Sequence, residues 1–271
     1  MSTEPKIAVA GVSKVFGDPG RGFRAIDSVD LQIGNGEFVC VVGPSGCGKS
    51  TLIRMLAGLD APTDGEIRLR RDDPARPLTA MIFQQESVFP WYTVAQNAAY
   101  GLRATGTWRG KESQERVDYF LNKTGLYSFR DFRPDQLSGG MKQRLSIARA
   151  FATNPEILLM DEPFAALDEQ NKLLMQQELA ALWEEFRSTV VFITHGLDEA
   201  VLLGDRVVVM SSAPGRFIRG LDISLPRPRH SAELRRTPEF VAYTAELWET
   251  LRNEVEEARR QEASRLQAAR R

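Results

Sequence analysis

The chain alternates between short apolar runs rich in β-branched residues and longer stretches in which apolar residues recur every three or four positions. The short runs predict β-strands, and the longer stretches predict amphipathic helices. The predicted strands are Lys6–Phe16, Ala25–Ile33, Glu37–Val42, Gly65–Arg70, Leu78–Gln84, Glu156–Pro163 and Thr189–His195. Strands that alternate with helices in this way predict an α/β fold, with a mostly parallel sheet covered by helices on both faces.

A helical block interrupts this alternation. From about residue 85 to residue 140, charged residues separate the apolar ones, as in the segment ESQERVDYFLNKTGL, and no strand is predicted there. The block therefore has the pattern of an insertion into the α/β core. Helical stretches are also expected between the last two predicted strands and after the final one.

The C-terminal part of the chain predicts one more helix. Thr237 can cap a helix, and Pro238 suits its first position. Apolar residues then recur every three or four positions, at Phe240, Tyr243, Leu247, Leu251 and Val255. We predict a helix from about Pro238 to Arg259, followed by a basic end. Two roles fit its apolar face: packing on its own subunit, or a regulatory or dimer-stabilising contact.

The overall composition is that of a globular protein. The 271 residues are 42% hydrophobic and 26% charged, and the formal net charge of −1 does not indicate a nucleic-acid partner. No apolar run approaches the length that spans a bilayer, and the start MSTEPK is not expected to be a secretory signal. Cys40 falls in a predicted buried strand and Cys47 in a loop, so a reducing compartment without disulfides is expected.

One loop carries a specific chemical signal. The segment GPSGCGKST, Gly43 to Thr51, follows a predicted buried strand and precedes a predicted helix whose apolar residues include Leu52 and Leu59. It matches the pattern G-x-x-x-x-G-K-S/T in the strand–loop–helix context that a phosphate-binding loop requires. Glycines allow the backbone N–H groups to turn toward a phosphate, and the helix N-terminus adds its dipole. The alternative is a glycine-rich turn without a ligand.

Within this loop two side chains have expected roles. Lys49 is expected to reach the β- and γ-phosphates of a nucleotide, and the Ser50 hydroxyl is expected to hold Mg²⁺. Gly58 is a plausible stop for the helix that follows.

Two carboxylates end a second apolar run. The segment ILLMDEP places Asp161 and Glu162 at the carboxyl end of a predicted buried strand, the edge at which open α/β sheets bind ligands. Asp161 is expected to hold Mg²⁺ through water, and Glu162 to act as the general base toward the attacking water. The alternative is an acidic turn that closes a strand.

A serine and two glycines open another predicted helix. In the segment LSGGMKQR, Leu137 to Arg144, the Ser138 hydroxyl and the helix N-terminus could form a second anion site. The alternative is an ordinary helix cap.

Taken in order, these segments resemble those of the ATP-binding subunits of ABC (ATP-binding cassette) transporters. GPSGCGKST resembles the family's Walker A motif, LSGGMKQR its signature motif and ILLMDEP its Walker B motif. IFQQ resembles the Q-loop, with Gln84 as the matching residue beside Gln85. FAALD resembles the D-loop, with Asp168, and ITHGLDEAV resembles the switch segment, with His195.

The resemblance implies a set of functional residues. The catalytic residues would be Glu162 and His195, and the Mg²⁺ ligands would be Ser50, Gln84 and Asp161. The implied ATP-binding residues are Phe16, Gly43, Pro44, Ser45, Gly46, Cys47, Gly48, Lys49, Ser50, Thr51, Gln84, Ser138, Gly139 and Gly140. Phe16 would stack on adenine, with Phe23 as the rival and a core position as the alternative.

The chain departs from the family's pattern at two positions. Gly196 follows His195 where the family usually has aspartate, and Met141 replaces the commoner glutamine of the signature. The position of Gly196 is not implied to contact phosphate, and methionine at the position of Met141 is frequent in one subgroup of the family. His230, among prolines and arginines, is expected in a solvated loop.

The resemblance also implies an architecture. It predicts a P-loop NTPase (ABC ATPase) core with an N-terminal antiparallel β subdomain and a helical subdomain inserted at about residues 85–142. The ATPase domain would cover residues 1–225, and residues 226–271 would form a mostly helical extension.

The implied activity is ATP hydrolysis in a head-to-tail homodimer, in which Ser138, Gly139 and Gly140 contact nucleotide held by the partner subunit. The dimer would drive transport through transmembrane permease subunits at the cytoplasmic face of the cell membrane, as a peripheral protein, with a solute-binding protein as an indirect partner. The bulky loop residues Phe89, Pro90, Trp91 and Tyr92 indicate either the permease-docking surface or a local core.

The segments FPWYTVAQNAAYGL, MSSAPGRF and LPRPR resemble the subgroup that imports nitrate, sulfonates and taurine. A small anion of that kind is therefore the implied solute. No nucleic acid is expected as a partner.

Overall fold

The computed structural model describes the backbone of residues 4–17, 22–85, 87–165, 167–229 and 233–269, and the side chains as far as Glu256. His230, predicted in a solvated loop, lies outside the described residues. The chain divides into two compact units, one formed by residues 1–70 and 191–271 and the other by residues 71–190.

The first unit contains most of the strands. Its elements in chain order are β1 (Ile7–Phe16), β2 (Phe23–Ile33), β3 (Phe38–Val42), α1 (Lys49–Leu56), β4 (Asp64–Leu69), α6 (Leu197–Leu203), β8 (Arg206–Met210), β9 (Phe217–Asp222) and α7 (Pro238–Ala269). Leu234–Arg236 forms a short 3₁₀ helix before α7.

The N-terminal strands form an antiparallel sheet. β1 pairs with β2 on one side, with Ile7 opposite Ile33, and with β4 on the other, with Ile7 opposite Leu69. At the start of β1, Ile7 and Val9 are buried and Ala8 between them is less so, because successive side chains in a strand point to opposite faces. This is the antiparallel β subdomain that the family resemblance predicts.

The strand that leads into the phosphate loop is buried throughout. Every residue of β3 is buried, and β3 pairs in parallel with β8, with Cys40 opposite Val207. β8 pairs in turn with β9, antiparallel. Continuous burial on both faces is typical of a parallel strand in an α/β fold.

The second unit is mainly helical. Its elements are β5 (Thr79–Ile82), α2 (Val94–Ala104), α3 (Lys111–Lys123), the 3₁₀ helices Tyr127–Phe129 and Pro134–Gln136, α4 (Gly139–Ala152), β6 (Ile157–Asp161) and α5 (Glu169–Phe186). The second unit ends at Val190 and the first resumes at Val191, so this boundary falls within strand β7 (Thr189–Ile193). β5 and β6 pair in parallel, with Thr79 opposite Ile157.

The helical stretches expected after the strand that ends near His195 are α6 and α7, but the strands β8 and β9 between these helices were not predicted. One further prediction is wrong in detail. Leu59 was placed on the apolar face of the helix after the phosphate loop, but α1 ends at Leu56 and the Leu59 side chain is 51% exposed. Gly58 has a φ of +71°, a left-handed conformation that suits glycine just past a helix end.

The C-terminal helix packs against other elements of the first unit, to which it belongs. Phe240, Leu247 and Leu251 are buried, and α7 lies against α6 and β8. Polar contacts reinforce this packing, because Glu254 accepts hydrogen bonds from the Ser212 backbone N–H, at 2.8 Å, and from the Ser212 hydroxyl. The helix extends to Ala269, further than the predicted end near Arg259.

Removing a buried side chain from α7 should destabilise the protein. Leu247 is fully buried, whereas the neighbouring Trp248 is 56% exposed. Leu247→Ala should lower the free energy of unfolding by about 2–5 kcal/mol, because it removes buried apolar surface and leaves a cavity. Trp248→Ala, the matched control, should change it by only about 0.5 kcal/mol. Guanidinium denaturation of both variants measures the difference, and equal midpoints would contradict this role of α7.

Two arginines hold the end of α6. Arg229 is 2% exposed and donates hydrogen bonds to four backbone carbonyl oxygens, including those of Val201 and Gly204 at the C-terminus of α6. Arg227 donates to the Leu203 carbonyl at 2.7 Å. Burial lowers the pKa of Arg229 to about 10, so the guanidinium remains charged at neutral pH. These positive charges lie at the negative end of the helix dipole, which stabilises the helix that follows His195.

Candidate nucleotide-binding site

The phosphate loop has a backbone that only glycine fits. Gly46 and Gly48 have φ values of +74° and +102°, which lie in the left-handed region. A Cβ at Gly48 would lie 2.9 Å from the Ala25 carbonyl oxygen, and one at Gly43 would lie 2.8 Å from the Met210 carbonyl oxygen. Gly48 is therefore both enclosed by neighbouring backbone and constrained in conformation, whereas Gly43 is enclosed only and Gly46 is constrained only.

Lys49 begins α1 with its ammonium group inside the loop. Its Nζ atom donates to the carbonyl oxygens of Gly43, at 2.9 Å, and Pro44, at 2.8 Å, and the residue is 5% exposed. Within the described residues of the first unit, no carboxylate pairs with this ammonium. A buried cation held only by neutral acceptors creates a strong preference for an anion beside it.

The cysteines are both free thiols and both buried. Cys47 is in the phosphate loop, with its Sγ atom 3.8 Å from the Lys49 Nζ atom, and Cys40 is in β3. Burial raises the pKa of Cys47 and raises that of Cys40 well above its usual range. Neither thiol is therefore activated as a nucleophile at neutral pH.

In the second unit, β6 ends at the predicted carboxylates. Asp161 is 7% exposed, and Glu162 follows it with a φ of +46°, which is unusual for a residue with a side chain. The Gln84 Nε2 atom donates to the Glu162 Oε2 atom at 3.1 Å. The structure thus brings together two residues that the whole helical block separates in the sequence. Gln84, rather than Gln85, makes this contact.

The predicted signature segment opens α4 and faces a cavity. The Ser138 hydroxyl oxygen accepts a hydrogen bond from the Met141 backbone N–H at 3.3 Å, so Ser138 caps the helix. The cavity has a volume of about 350 Å³ and is lined by Ser138, Gly139, Gly140, Met141, Arg144, Leu167, Asp168 and Asn171. The backbone N–H groups at the start of α4 and the guanidinium of Arg144 make this an anion-binding surface.

A second helix begins at the same cavity. Asp168 caps α5 by accepting a hydrogen bond from the Asn171 backbone N–H at 3.0 Å, and this bond lowers the pKa of Asp168. The carboxylate is therefore ionised and engaged at the helix start. Both helix N-termini border the cavity, which supports its preference for a negatively charged ligand.

The predicted switch histidine lies on a braced turn in the first unit. The His195 side chain is exposed, while Thr194 and Glu199 on either side of it are buried. The Thr194 hydroxyl hydrogen-bonds the Glu199 carboxylate and accepts from the Gly196 backbone N–H at 2.9 Å. Gly196 has a φ of −85°, which any residue adopts, so the departure from the family's aspartate does not alter the path of the backbone.

The two candidate adenine-stacking residues are cross-strand neighbours. Phe16 ends β1 opposite Phe23 at the start of β2, and the side chains are 43% and 45% exposed. The Lys14 ammonium lies 5.1 Å from the centroid of the Phe16 ring. Neither phenylalanine is a core residue, which excludes the core alternative for Phe16.

The loop of bulky residues before α2 is partly a local core and partly exposed. The Phe89 ring centroid lies 4.3 Å from that of Tyr100 and 5.3 Å from the Arg149 guanidinium, whereas Trp91 is 62% exposed. The fully buried Asn97 accepts a hydrogen bond from the Phe89 backbone N–H with its side-chain amide oxygen and donates one to the Phe89 carbonyl oxygen from its amide nitrogen, which fixes the loop. The local-core alternative therefore holds for Phe89, whereas Trp91 is exposed.

The site residues are distributed over the two units. The first unit contains Phe16, Gly43 to Thr51 and His195, and the second contains Gln84, Ser138, Gly139, Gly140, Asp161 and Glu162. Sequence reasoning missed the brace formed by Thr194 and Glu199. Their spacing within ITHGLDEAV was visible, but the hydrogen bond is not predictable from residue types alone.

Comparisons with known proteins agree with these observations. The family model described as "ABC transporter" matches residues 26–165. The chain is 49% identical over 248 residues to an ATP-binding protein of Brucella abortus, covering 90% of this chain and 93% of that protein.

Two further relatives have names that describe transport. The nitrate import ATP-binding protein NrtD of Synechocystis sp. is 42% identical over 259 residues, covering 93% of this chain and 97% of that protein. The bicarbonate transport ATP-binding protein CmpC of the same organism is 42% identical over 248 residues, covering 89% of this chain and 37% of that protein.

A similar solved structure is the dimeric post-hydrolysis state of an ATP-binding cassette bound to ADP and Pi. It has a TM-score of 0.70 and 32% sequence identity, and the match covers 81% of this chain and all of that chain. The chain belongs to the ABC transporter family, with the P-loop ABC ATPase fold, and is an ATP-binding subunit that hydrolyses ATP.

Proposed function

We propose that this chain is the ATP-hydrolysing subunit of an import system for a small anion, and that a head-to-tail homodimer couples hydrolysis to transport through a membrane permease. The observation that carries the proposal is the likeness to NrtD along almost the full length of both chains. The hydrogen bond between Gln84 and Glu162 supports the hydrolytic part, because it places an amide beside the carboxylate proposed as general base.

In the proposed site, the phosphate loop holds the nucleotide. The backbone N–H groups of the loop and the Lys49 ammonium bind its phosphates, and Phe16 stacks on the adenine. Glu162 accepts a proton from the attacking water, and His195 contacts the γ-phosphate. The enclosed Gly43 and Gly48 support this assignment, since a side chain at either would collide with neighbouring backbone.

Mg²⁺ is proposed to bind with the nucleotide, through Ser50, Gln84 and Asp161. A hydroxyl, an amide carbonyl and a carboxylate all supply the hard oxygen atoms that Mg²⁺ prefers. No cluster of three or more His, Cys, Asp or Glu residues within the described part of the chain could hold a metal ion. A site with few protein ligands is consistent with Mg²⁺, which keeps several waters and phosphate oxygens. When bound, the ion neutralises phosphate charge.

The partner subunit is proposed to complete the nucleotide site. Ser138, Gly139 and Gly140 line an open cavity at a helix N-terminus, and this surface suits the phosphate of a nucleotide held by the other subunit. The dimeric state of the similar ADP- and Pi-bound cassette supports this arrangement.

The membrane partner is proposed to be a separate permease. None of the helices described for this chain combines the length and apolar composition needed to cross a bilayer. The chain would then act at the cytoplasmic face of the cell membrane, as a peripheral subunit. The exposed Trp91 is the proposed centre of the docking surface, and a solute-binding protein would deliver the anion on the other side.

Nitrate is the first solute to test. The names of the relatives NrtD and CmpC refer to nitrate and bicarbonate, which are both small oxyanions, and sulfonates or taurine fit the same proposed class. Because the solute would cross through the permease, residues of this chain cannot be expected to distinguish these anions.

A transport assay tests the proposal. The full-length protein, purified with the membrane permease that it retains, would be reconstituted in proteoliposomes with the system's binding protein. ATP-dependent uptake of labelled nitrate is expected, with uptake of bicarbonate and taurine measured in parallel. Trp91→Ala should reduce uptake severalfold while leaving the basal ATPase activity unchanged, and Trp248→Ala, another exposed tryptophan, is the control. ATP-dependent export, or ATP hydrolysis without any anion uptake, would contradict the proposed role.

A further inference from the structure

A second cavity lies at the opposite end of α4 from Ser138. Its volume is about 200 Å³, and three arginines, Arg76, Arg109 and Arg116, line it together with one carboxylate, Glu112. All of these residues belong to the second unit. Three positive charges against one negative charge in so small a space favour an anion.

Backbone carbonyl oxygens hold two of the arginines in place. Arg116 donates from Nε to the Ala152 carbonyl oxygen at 2.6 Å and from Nη2 to that of Phe151 at 3.2 Å. Arg76 donates from Nε to Asn154, at 2.9 Å, and from Nη2 to Pro155, at 2.8 Å. In both side chains the Nη1 group makes no hydrogen bond with a described residue, so each guanidinium is fixed while retaining donors for a ligand.

Aromatic rings fix Arg116 further. Its guanidinium carbon lies 5.1 Å from the centroid of the Phe120 ring and 5.6 Å from that of Phe186. Burial lowers the pKa of Arg116, and the neighbouring charge of Arg76 lowers it as well. The fold therefore holds two like charges close together, an arrangement that an anion between them would stabilise.

Arg109 is an exposed residue whose backbone is held in place. Its backbone N–H donates to the Ser113 hydroxyl at 2.7 Å, which fixes the residue just before α3. Its guanidinium makes no hydrogen bond or ion pair with any residue that the structure describes. None of the three arginines forms an ion pair with a described carboxylate, including Glu112.

Capping of the C-terminus of α4 explains only part of this arrangement. Positive charge near the last carbonyl groups of a helix is favourable. This effect accounts for the Nε and Nη2 hydrogen bonds of Arg116 at the end of α4, and for those of Arg76 just beyond it. It does not account for Arg109, or for the cavity that all three arginines share.

We propose that this cavity binds a small oxyanion, such as sulfate, phosphate or the phosphate group of a small ester. Guanidinium groups match the paired oxygens of such anions and remain charged at every physiological pH. A volume of about 200 Å³ accommodates the anion with a few waters, since a water takes about 30 Å³ in the liquid. The inference does not depend on the solute that the transporter carries.

Calorimetric titration of the full-length protein with sodium sulfate tests this inference, with phosphate and nitrate as further titrants. A non-hydrolysable ATP analogue and Mg²⁺ are kept at saturation so that the nucleotide phosphate sites are filled. Arg109→Gln should weaken sulfate binding roughly tenfold, the effect of losing one charge-assisted hydrogen bond. Glu112→Gln should strengthen it severalfold, because it removes the opposing charge.

Arg103→Gln is the matched control. Arg103 is an exposed arginine of the same unit that lies over the Trp108 ring, 4.7 Å from its centroid, and does not line the cavity. Its replacement should leave sulfate affinity unchanged. Equal sulfate affinity in the parent, Arg109→Gln and Glu112→Gln proteins would overturn the proposal, as would the absence of measurable binding of sulfate, phosphate and a small phosphate ester to the parent at millimolar concentration. A response to phosphate esters but not to inorganic anions would identify the ester as the ligand of the same site.

Discussion

Replacing Glu162 with glutamine should slow ATP turnover by roughly 10²–10⁴-fold while ATP binding survives. Glutamine keeps the size of the side chain and a hydrogen-bonding partner for Gln84, but it cannot accept a proton. Phosphate release under saturating ATP measures turnover, and equilibrium titration with a fluorescent ATP analogue measures binding. Glu115→Gln, on the exposed side of α3, is the matched control and should retain full activity.

The same variant tests the proposed dimer. Because Glu162→Gln would retain ATP, the nucleotide should hold two subunits together. Gel filtration with ATP and Mg²⁺ should then show a dimer for this variant and mostly monomer for the parent. Monomers in both cases would argue against a nucleotide site shared between subunits, and undiminished turnover would remove Glu162 from its role as general base.

Lys49→Ala should lose measurable ATP affinity and reduce hydrolysis by about 10²–10³-fold. The substitution removes the only cation of the segment Gly43 to Thr51, one that lies buried among loop carbonyls. Isothermal titration with ATP and a hydrolysis assay measure the two effects. Lys111→Ala, whose side chain is 91% exposed, should behave like the parent. Far-UV circular dichroism should show that both variants fold, and a folded Lys49→Ala protein that binds ATP as tightly as the parent would refute the assignment of the loop.

The parts of the fold that depend on local chemistry were predictable. The strand, glycine loop and helix around Lys49 follow from a pattern whose residues are close in sequence, and the Ser138 cap follows from a serine before a helical run. The helix after Pro238 follows from the apolar repeat, and three residues of that repeat, Phe240, Leu247 and Leu251, are buried.

Other features depend on contacts between distant segments. β8 consists of Arg206 and four apolar residues, a run too short to separate a strand from a buried helical turn, and one of its two partners, β3, lies far along the chain. The same applies to Arg229, whose carbonyl partners on α6 are set by tertiary structure. Because Arg229 is a charged residue in a segment rich in proline, the sequence did not indicate that its side chain would be buried.

The helix boundary near Leu59 shows the limit of periodicity. Leu59 continues the apolar spacing of α1, but the left-handed Gly58 turns the chain away after Leu56. Backbone conformation at a single glycine therefore overrides a pattern that holds over the preceding residues.

The two buried cysteines have a practical consequence for studies in solution. Alkylating reagents react with thiolates that solvent can reach, and both thiols are enclosed and have raised pKa values. Each cysteine therefore becomes reactive only when the structure around it opens. Cys47 reports on opening of the phosphate loop and Cys40 on opening of the adjacent strand, so the chain carries two chemical probes of its own dynamics without any engineered label.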